Sequence, residues 1–178
     1  MQNQIQKKFF ELSDKERFAK GDGTSRRAFK AYCSENNVMF IGLGICERPA
    51  SSKCYQEPLL TKAPDALCET PDGNVFFTEV KGCGKRGVNI KCENLDYYKK
   101  WSWSKPLNLF IYNSSTNKFA CLPLQKFQQA VDFTGSTFSQ YNTKRNKTEV
   151  FYNVPCSSFD WHDMPNNFKN GKADNYTE

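Results

Sequence analysis

The pentapeptide Thr70-Pro71-Asp72-Gly73-Asn74 constrains the fold more than any other stretch of this chain. It lies between two segments of strand-like composition, Asp65–Thr70 and Asn74–Lys81. Proline pre-sets φ for the first central position of a type I turn. Glycine accepts the left-handed conformation that closes a three-residue hairpin loop. In that register Thr70 faces Asn74, and counting outward along both strands puts Asp65 directly opposite Glu79. A two-residue Asp-Gly loop would slip the pairing by one and send the two acids to opposite faces. It would also leave Pro71 flanking the loop, where an N–H is normally useful. The three-residue loop is therefore the expected one.

Directly opposed carboxylates have Cβ atoms roughly 4.5–5.5 Å apart and repel each other. Such a pairing favours the fold only if something positive lies between them. The two-residue period of a strand puts Lys81 on the face of Glu79, while Val80 points away and leaves its carbonyl in the sheet plane. Two carboxylates, a carbonyl and an ammonium thus share one edge. Hard oxygen ligands with open positions suit Mg²⁺ or Mn²⁺, which keep waters and accept phosphate oxygens. Lys81 would hold or help deprotonate an attacking water and offset charge in a phosphorane-like transition state. The bland alternative is an exposed hairpin with a Glu–Lys pair two residues apart. Against it stands the whole string: Pro64-Asp65, a strand, a turn, the apolar Val75-Phe76-Phe77, then Glu79-Val80-Lys81 and a glycine-rich exit.

The remaining elements are read from periodicity and breakers. Residues 1–20 carry Phe9, Phe10 and Phe18 among charges and suit a short helix. The break Gly21–Ser25 ends in good N-cap residues. A helix is predicted over Arg26–Asn36, with Phe29, Tyr32 and Cys33 on one stripe and Asn36-Asn37 as its stop. Val38–Leu43 reads as a buried strand and 47–63 as a long loop. Gly82, Gly84 and Gly87 are expected to loosen the chain after the hairpin. Cys92–Trp101 reads as a helix, Leu107–Tyr112 and Lys118–Leu122 as strands, and Pro123–Phe133 as a helix with Leu124, Phe127 and Val131 inward. From Gly135 the chain is polar and Asn-rich, although Phe151, Tyr152, Phe159 and Trp161 suggest packing back onto the core. The last eight or so residues read as frayed. The order implies one domain over 1–178, a mixed sheet flanked by helices, with a core over about 24–133 and an irregular C-terminal extension over 134–178.

Pro64-Asp65…Glu79-Val80-Lys81 resembles the signature of the PD-(D/E)xK nuclease superfamily, which includes type II restriction enzymes, Holliday-junction resolvases and recombination exonucleases. The resemblance implies an α/β, restriction-endonuclease-like fold with an αβββαβ core and the motif on the second and third strands. It implies Mg²⁺-dependent (or Mn²⁺-dependent) hydrolysis of DNA, with RNA left open. Asp65 and Glu79 would bind metal beside the Val80 carbonyl, and Lys81 would assist the water. Two features depart from the pattern. Many members have a Glu on the first helix, yet Thr24-Ser25-Arg26-Arg27-Ala28 has none; Glu35, Glu16 and Glu11 are the geometric substitutes. Some members carry Gln-x-x-x-Tyr on the helix after the motif, where this chain has Asn94 and Tyr98. That i, i+4 pair shares a helix face; the plain alternative is an amphipathic helix burying Leu95, Tyr98 and Trp101.

Charge is uneven. The chain carries a net +6. Residues 31–80 hold seven Asp/Glu against three Lys/Arg, whereas 81–105 hold Lys81, Lys85, Arg86, Lys91, Lys99, Lys100 and Lys105 against Glu93 and Asp96. With Asn94, Tyr98, Tyr97, Trp101 and Trp103 interleaved, this suits phosphate contacts that do not read sequence; Arg26 and Arg27 would add to the groove. A solvated Lys-rich face is the competing reading. No helix-turn-helix or zinc-finger pattern is present, so substrate shape is the expected determinant. The size and lack of accessory domains point to an endonuclease, structure-selective or working as a homodimer. Aromatics make up 15% of residues, most of them core material, with some left for base stacking. The eight cysteines form no Cys-x-x-Cys pair, which disfavours structural zinc. With no apolar N-terminal or membrane-spanning run, a cytoplasmic protein with reduced thiols is expected. The lone His162, in Trp161-His162-Asp163, is a weak candidate for catalysis, and Gly82-Cys83-Gly84-Lys85 lacks the spacing of a nucleotide-phosphate loop.

Overall fold

Turn chemistry and strand period act at the hairpin as expected. The computed structural model describes residues 23–43, 62–142 and 146–168. Within it, β2 (Ala66–Glu69) and β3 (Val75–Cys83) pair antiparallel in the register Ala66↔Thr78, Leu67↔Phe77, Cys68↔Phe76 and Glu69↔Val75. Gly73 sits at φ 81°, its N–H bonds to the Thr70 carbonyl at 2.9 Å, and Thr70 N–H bonds to the Asn74 carbonyl at 3.0 Å. This is the three-residue loop. Asp72 reinforces it by accepting from the Asn74 amide at 2.5 Å and from the Thr70 hydroxyl.

The fold is mixed α/β. Helix α1 (Gly23–Glu35) precedes β1 (Met39–Gly42), and β4 (Val88–Lys91) and α2 (Cys92–Trp101) follow the hairpin. Then come β5 (Leu107–Asn113), β6 (Lys118–Pro123), α3 (Leu124–Thr134), β7 (Ser136–Asn142), β8 (Lys147–Val154), a 3₁₀ turn at Cys156–Ser158 and β9 (His162–Asp163). A six-stranded sheet runs in the order β1-β2-β3-β5-β6-β9, and a three-stranded sheet in the order β4-β8-β7. Only β3 and β5 pair parallel within the first sheet. Parallel neighbours require a crossover, here supplied by β4 and α2. β5 is buried along nearly its whole length, which explains its run Leu-Asn-Leu-Phe-Ile-Tyr-Asn.

Each face of the large sheet has its own core. Ala28, Phe29 and Cys33 of α1 pack on Val80, Phe110, Tyr112 and Phe119. On the other face Phe77, Leu109 and Ile111 meet Leu95 and Tyr98 of α2, Phe127 and Val131 of α3, and Val88, Ile90 and Val154 of the small sheet. The stop at Asn36-Asn37 is a Schellman closure: Asn37 takes φ 52°, its N–H reaches the Ser34 carbonyl at 3.4 Å, and Val38 N–H reaches Cys33 at 2.9 Å. Phe159 is buried, and Tyr152 and Trp161 pack against the same cluster.

Three expectations are corrected. The strand at 39–42 is not buried: it is an edge, with Met39 and Ile41 67% and 69% exposed. An apolar run cannot reveal whether a strand is flanked on one side or two. The glycines after Lys81 do not loosen the chain. β3 continues to Cys83, a turn bridged between Gly84 and Gly87 follows, and β4 begins. Gly87 stands at φ 105°, and a Cβ there would lie 2.2 Å from the Val154 carbonyl oxygen. The glycine is thus needed for close approach of two backbones. Finally, the extension is not irregular: 136–154 is largely a hairpin that pairs back to β4. The proposed helix within 1–20, most of the loop at 47–63 and the last eight residues lie outside the described residues. Among the described residues no helix is long and apolar enough to cross a membrane.

Candidate functional site

β3 runs past the end of β2, leaving Glu79–Cys83 beyond the two-stranded ladder. Asp65 stands at that step. Its backbone is fixed by Leu43 N–H, which donates to the Asp65 carbonyl at 3.0 Å. Its carboxylate reaches across to β3, where Oδ2 accepts the Val80 N–H at 2.9 Å, while Oδ1 accepts Arg26 Nη2 of α1 at 3.0 Å. A strand residue projects N–H and C=O toward one edge, so the Val80 carbonyl faces the Asp65 side as well. Asp65, Glu79, Val80 and Lys81 are therefore brought together as the register requires.

Glu79 is 5% exposed. Its Oε1 accepts the Tyr98 hydroxyl at 2.6 Å and the Lys81 ammonium. Burial pushes the Glu79 carboxyl up to about 7; Lys81 pulls it down, Asp65 adds to the rise, and the bonds from Lys81 and Tyr98 lower it again. Burial pulls Lys81 down, but the Glu79 carboxylate, with Tyr98 and Asp65, outweighs it and holds the ammonium well above its ordinary value. Burial chiefly raises Tyr98, which stays a hydroxyl donor. Three side chains thus share one proton-sensitive network around a carboxylate poised near neutrality.

The first-helix position that lacks an acid presents Arg26. Glu35 closes the far end of α1, roughly 13 Å along the axis at 1.5 Å per residue, and is exposed. Glu11 and Glu16 lie outside the described residues. Among the described residues no cluster of three or more His, Cys, Asp or Glu side chains is placed to hold a metal ion. The donor set is two carboxylates and a carbonyl. That fits a Mg²⁺ ion of the kind held by one or two carboxylates with waters and substrate oxygens completing the shell. Its competitor for Asp65 Oδ1 is the Arg26 guanidinium.

The residues expected to contact nucleic acid divide into two groups. Lys85 and Arg86 are exposed on the β3–β4 turn and line a cleft. Lys99 is exposed beside Asp96 at 4.0 Å, and Lys100 lies 5.1 Å from the centre of the Tyr97 ring. The others are engaged inside the fold. Lys91 pairs with Glu149 at 2.7 Å, Asn94 accepts from Lys62 at 2.9 Å, and Tyr98 is spent on Glu79. Sequence reasoning missed Lys62, which also bonds Glu93 at 2.7 Å and ties the approach to Asp65 onto α2. Its place just before Pro64-Asp65 was the available signal. Arg26 was read only as groove charge; its place in the first turn of α1, where the family Glu would stand, was the clue to its contact. His162 lies on β9, three strands from β3, with its ring against Phe119 at 5.6 Å, and takes no part in the site. The six described cysteines are free, and burial pushes the Cys33 thiol up to about 12, as suits a core filler.

No family model, no curated protein and no solved structure matches this chain.

Proposed function

We propose that the chain is a metal-dependent nuclease of PD-(D/E)xK type that hydrolyses phosphodiester bonds in DNA, on a restriction-endonuclease-like core. The observation that carries this reading is the convergence of Asp65, Glu79, the Val80 carbonyl edge and Lys81 where β3 outruns β2. The order α1-β1-β2-β3-α2-β5 along the chain supports the core assignment, with β4 as an insertion.

In this reading Asp65 and Glu79 hold Mg²⁺ or Mn²⁺, which when bound polarises the phosphoryl group and acidifies a water. Lys81 remains an ammonium, because Glu79 holds its proton on. Its role is then to orient the water and offset developing negative charge, not to remove a proton. Tyr98 fixes the Glu79 rotamer from behind. Arg26 keeps Asp65 neutralised in the absence of cation. With a cation on Asp65, the Arg26 guanidinium would be free to pair with a substrate phosphate.

The same ion pair favours one alternative, a protein with this fold that binds DNA without cutting it. A plasmid assay with Mg²⁺ or Mn²⁺, with and without chelator, decides. Chelator-sensitive cleavage is expected, and inactivity on duplex, single-stranded and branched DNA would select the binding-only reading.

A further inference from the structure

The small sheet joins strands distant in sequence, β4 with β8 and β7. Its inner face, Val88, Ile90 and Val154, is buried in the core. Strand alternation sends their neighbours outward, and the register lines them up: Asn89 beside Asn153, Lys91 beside Phe151, and Phe138 on the far side of Phe151. This face forms one wall of a cleft of about 1110 Å³, whose lining includes Gly82, Arg86, Asn89, Phe138 and Asn153. The β3–β4 turn, joined to this face through the Asn153–Arg86 bond, and the start of α1 at Thr24 complete the lining together with Tyr112 and Ser114.

Three properties define what fits. The first is charge: Lys85 and Arg86 line the cleft, no acidic residue does, and neither cation has an ion-pair partner among the described residues. The second is a fixed aromatic platform. The Phe138 and Phe151 rings lie 5.2 Å apart at 10°, Lys91 sits 5.9 Å from the Phe151 centre, and Phe138 keeps 38% of its surface open. A ring already held by its neighbour loses little freedom when a base stacks on it. The third is a row of amides and hydroxyls. Asn153 bonds Asn89 at 2.7 Å and the Arg86 carbonyl at 3.2 Å, which orients the amides along the wall. At about 1110 Å³ the cleft stands at the upper end of the ~300–1,000 Å³ typical of small-molecule sites and has room for a nucleotide.

We propose that this cleft binds unpaired nucleotides, so that the preferred substrate is DNA with a single-stranded segment. Bases inside a duplex are stacked on one another and present no face to Phe138, whereas an unpaired base does. Gly82 follows Lys81 directly on β3 and stands three residues, ~10 Å, from Glu79, so a strand lying in the cleft leads along β3 toward the carboxylates. The inference rests on the nuclease reading for what happens next, but not for the binding itself.

The test is fluorescence anisotropy in chelator, so that nothing is cut, comparing a labelled oligothymidine with a blunt duplex of equal length. The single strand is expected to bind more tightly. Phe138→Ala should weaken it roughly 5- to 100-fold, the span of one lost stacking contact, with duplex affinity within about twofold of wild type. Phe138→Trp should restore single-strand affinity, which separates stacking from a folding defect. Lys85→Ala with Arg86→Ala, on an exposed turn, should lower affinity and flatten the salt dependence by about two phosphate contacts. Duplex preference, or single-strand affinity unchanged in Phe138→Ala, overturns the proposal. If Phe138-dependent single-strand binding is found without cleavage by wild type, the nuclease reading fails and the cleft assignment stands. Cleavage with binding indifferent to Phe138 is the reverse.

Discussion

The β2–β3 hairpin and the β4-β8-β7 sheet are both small antiparallel units, yet they are specified in opposite ways. In the hairpin, five consecutive residues choose the loop, the loop chooses the register, and the register, ending at Ala66↔Thr78, brings Asp65 to the step where Glu79 and Val80 leave the ladder. In the small sheet, β4 pairs with a strand from the far end of the chain, Val88 with Val154. No local turn sets that register. It is held by the inner residues Val88, Ile90 and Val154 in the core, and by the close backbone approach at Gly87. The proposed chemistry sits on the locally specified unit, and the cleft beside it is walled in part by the non-locally specified one.

The largest expected effect lies in the hairpin. Asp65→Ala and Lys81→Ala should each lower cleavage by about 10²-fold or more, in line with loss of one charge-stabilising group. Thermal melts should stay cooperative, and single-turnover plasmid cleavage reads the loss. Wild-type rates in either variant would move the chemistry elsewhere.

The next contrast is in stability. Gly87→Ala places a Cβ against the Val154 carbonyl at positive φ and should cost about 3 kcal/mol in a urea titration. Gly73→Ala, at φ 81° with open space around its Cβ, should cost only about 1 kcal/mol. Equal costs would mean that the small sheet is not docked as described.

Protonation sharpens the comparison further. Glu79 is raised in the folded protein to about 7 from an ordinary carboxylate value of 4.5. A raised group contributes stability that is full below the unfolded value, here 4.5, and lost as pH rises toward about 7. Glu79→Gln should flatten that decline in melts between those limits. Cation binding needs the carboxylate, so Mn²⁺ affinity should climb with pH up to about 7, with proton release measurable by calorimetry below it. A pH-independent affinity would place the cation away from Glu79. The smallest effect concerns Arg26. Arg26→Ala removes the competitor on Asp65 and should tighten Mn²⁺ binding by up to about fivefold, matching the ~1 kcal/mol of a partly exposed ion pair.

Legibility followed the range of the determining contacts. Helices at Cys92–Trp101 and Leu124–Thr134 and strands at Leu107–Asn113 and Lys118–Pro123 stand where periodicity placed them. Their apolar faces are continuous and their ends are marked by Pro and by turns. β7 escaped because Ser136–Asn142 is exposed almost throughout and its polar residues mimic a loop. β1 was found but misjudged, since an apolar run does not report how many neighbours a strand has. Of the site, Asp65, Glu79, Val80 and Lys81 were legible. The partners of their charges were not: Tyr98 on Glu79 was only a shared helix face, and Arg26 on Asp65 was not foreseen.

By itself the sequence determined the hairpin loop, its register, and the face shared by Glu79 and Lys81, because turn stereochemistry and the two-residue strand period act over a few bonds. Tertiary structure alone decided that Glu79 is buried near neutral pKa, that Arg26 rather than an acid answers Asp65, and that β4 and β8 meet to wall a basic, aromatic cleft. Those outcomes depend on which distant segments exclude water from one another, and no local rule carries that information.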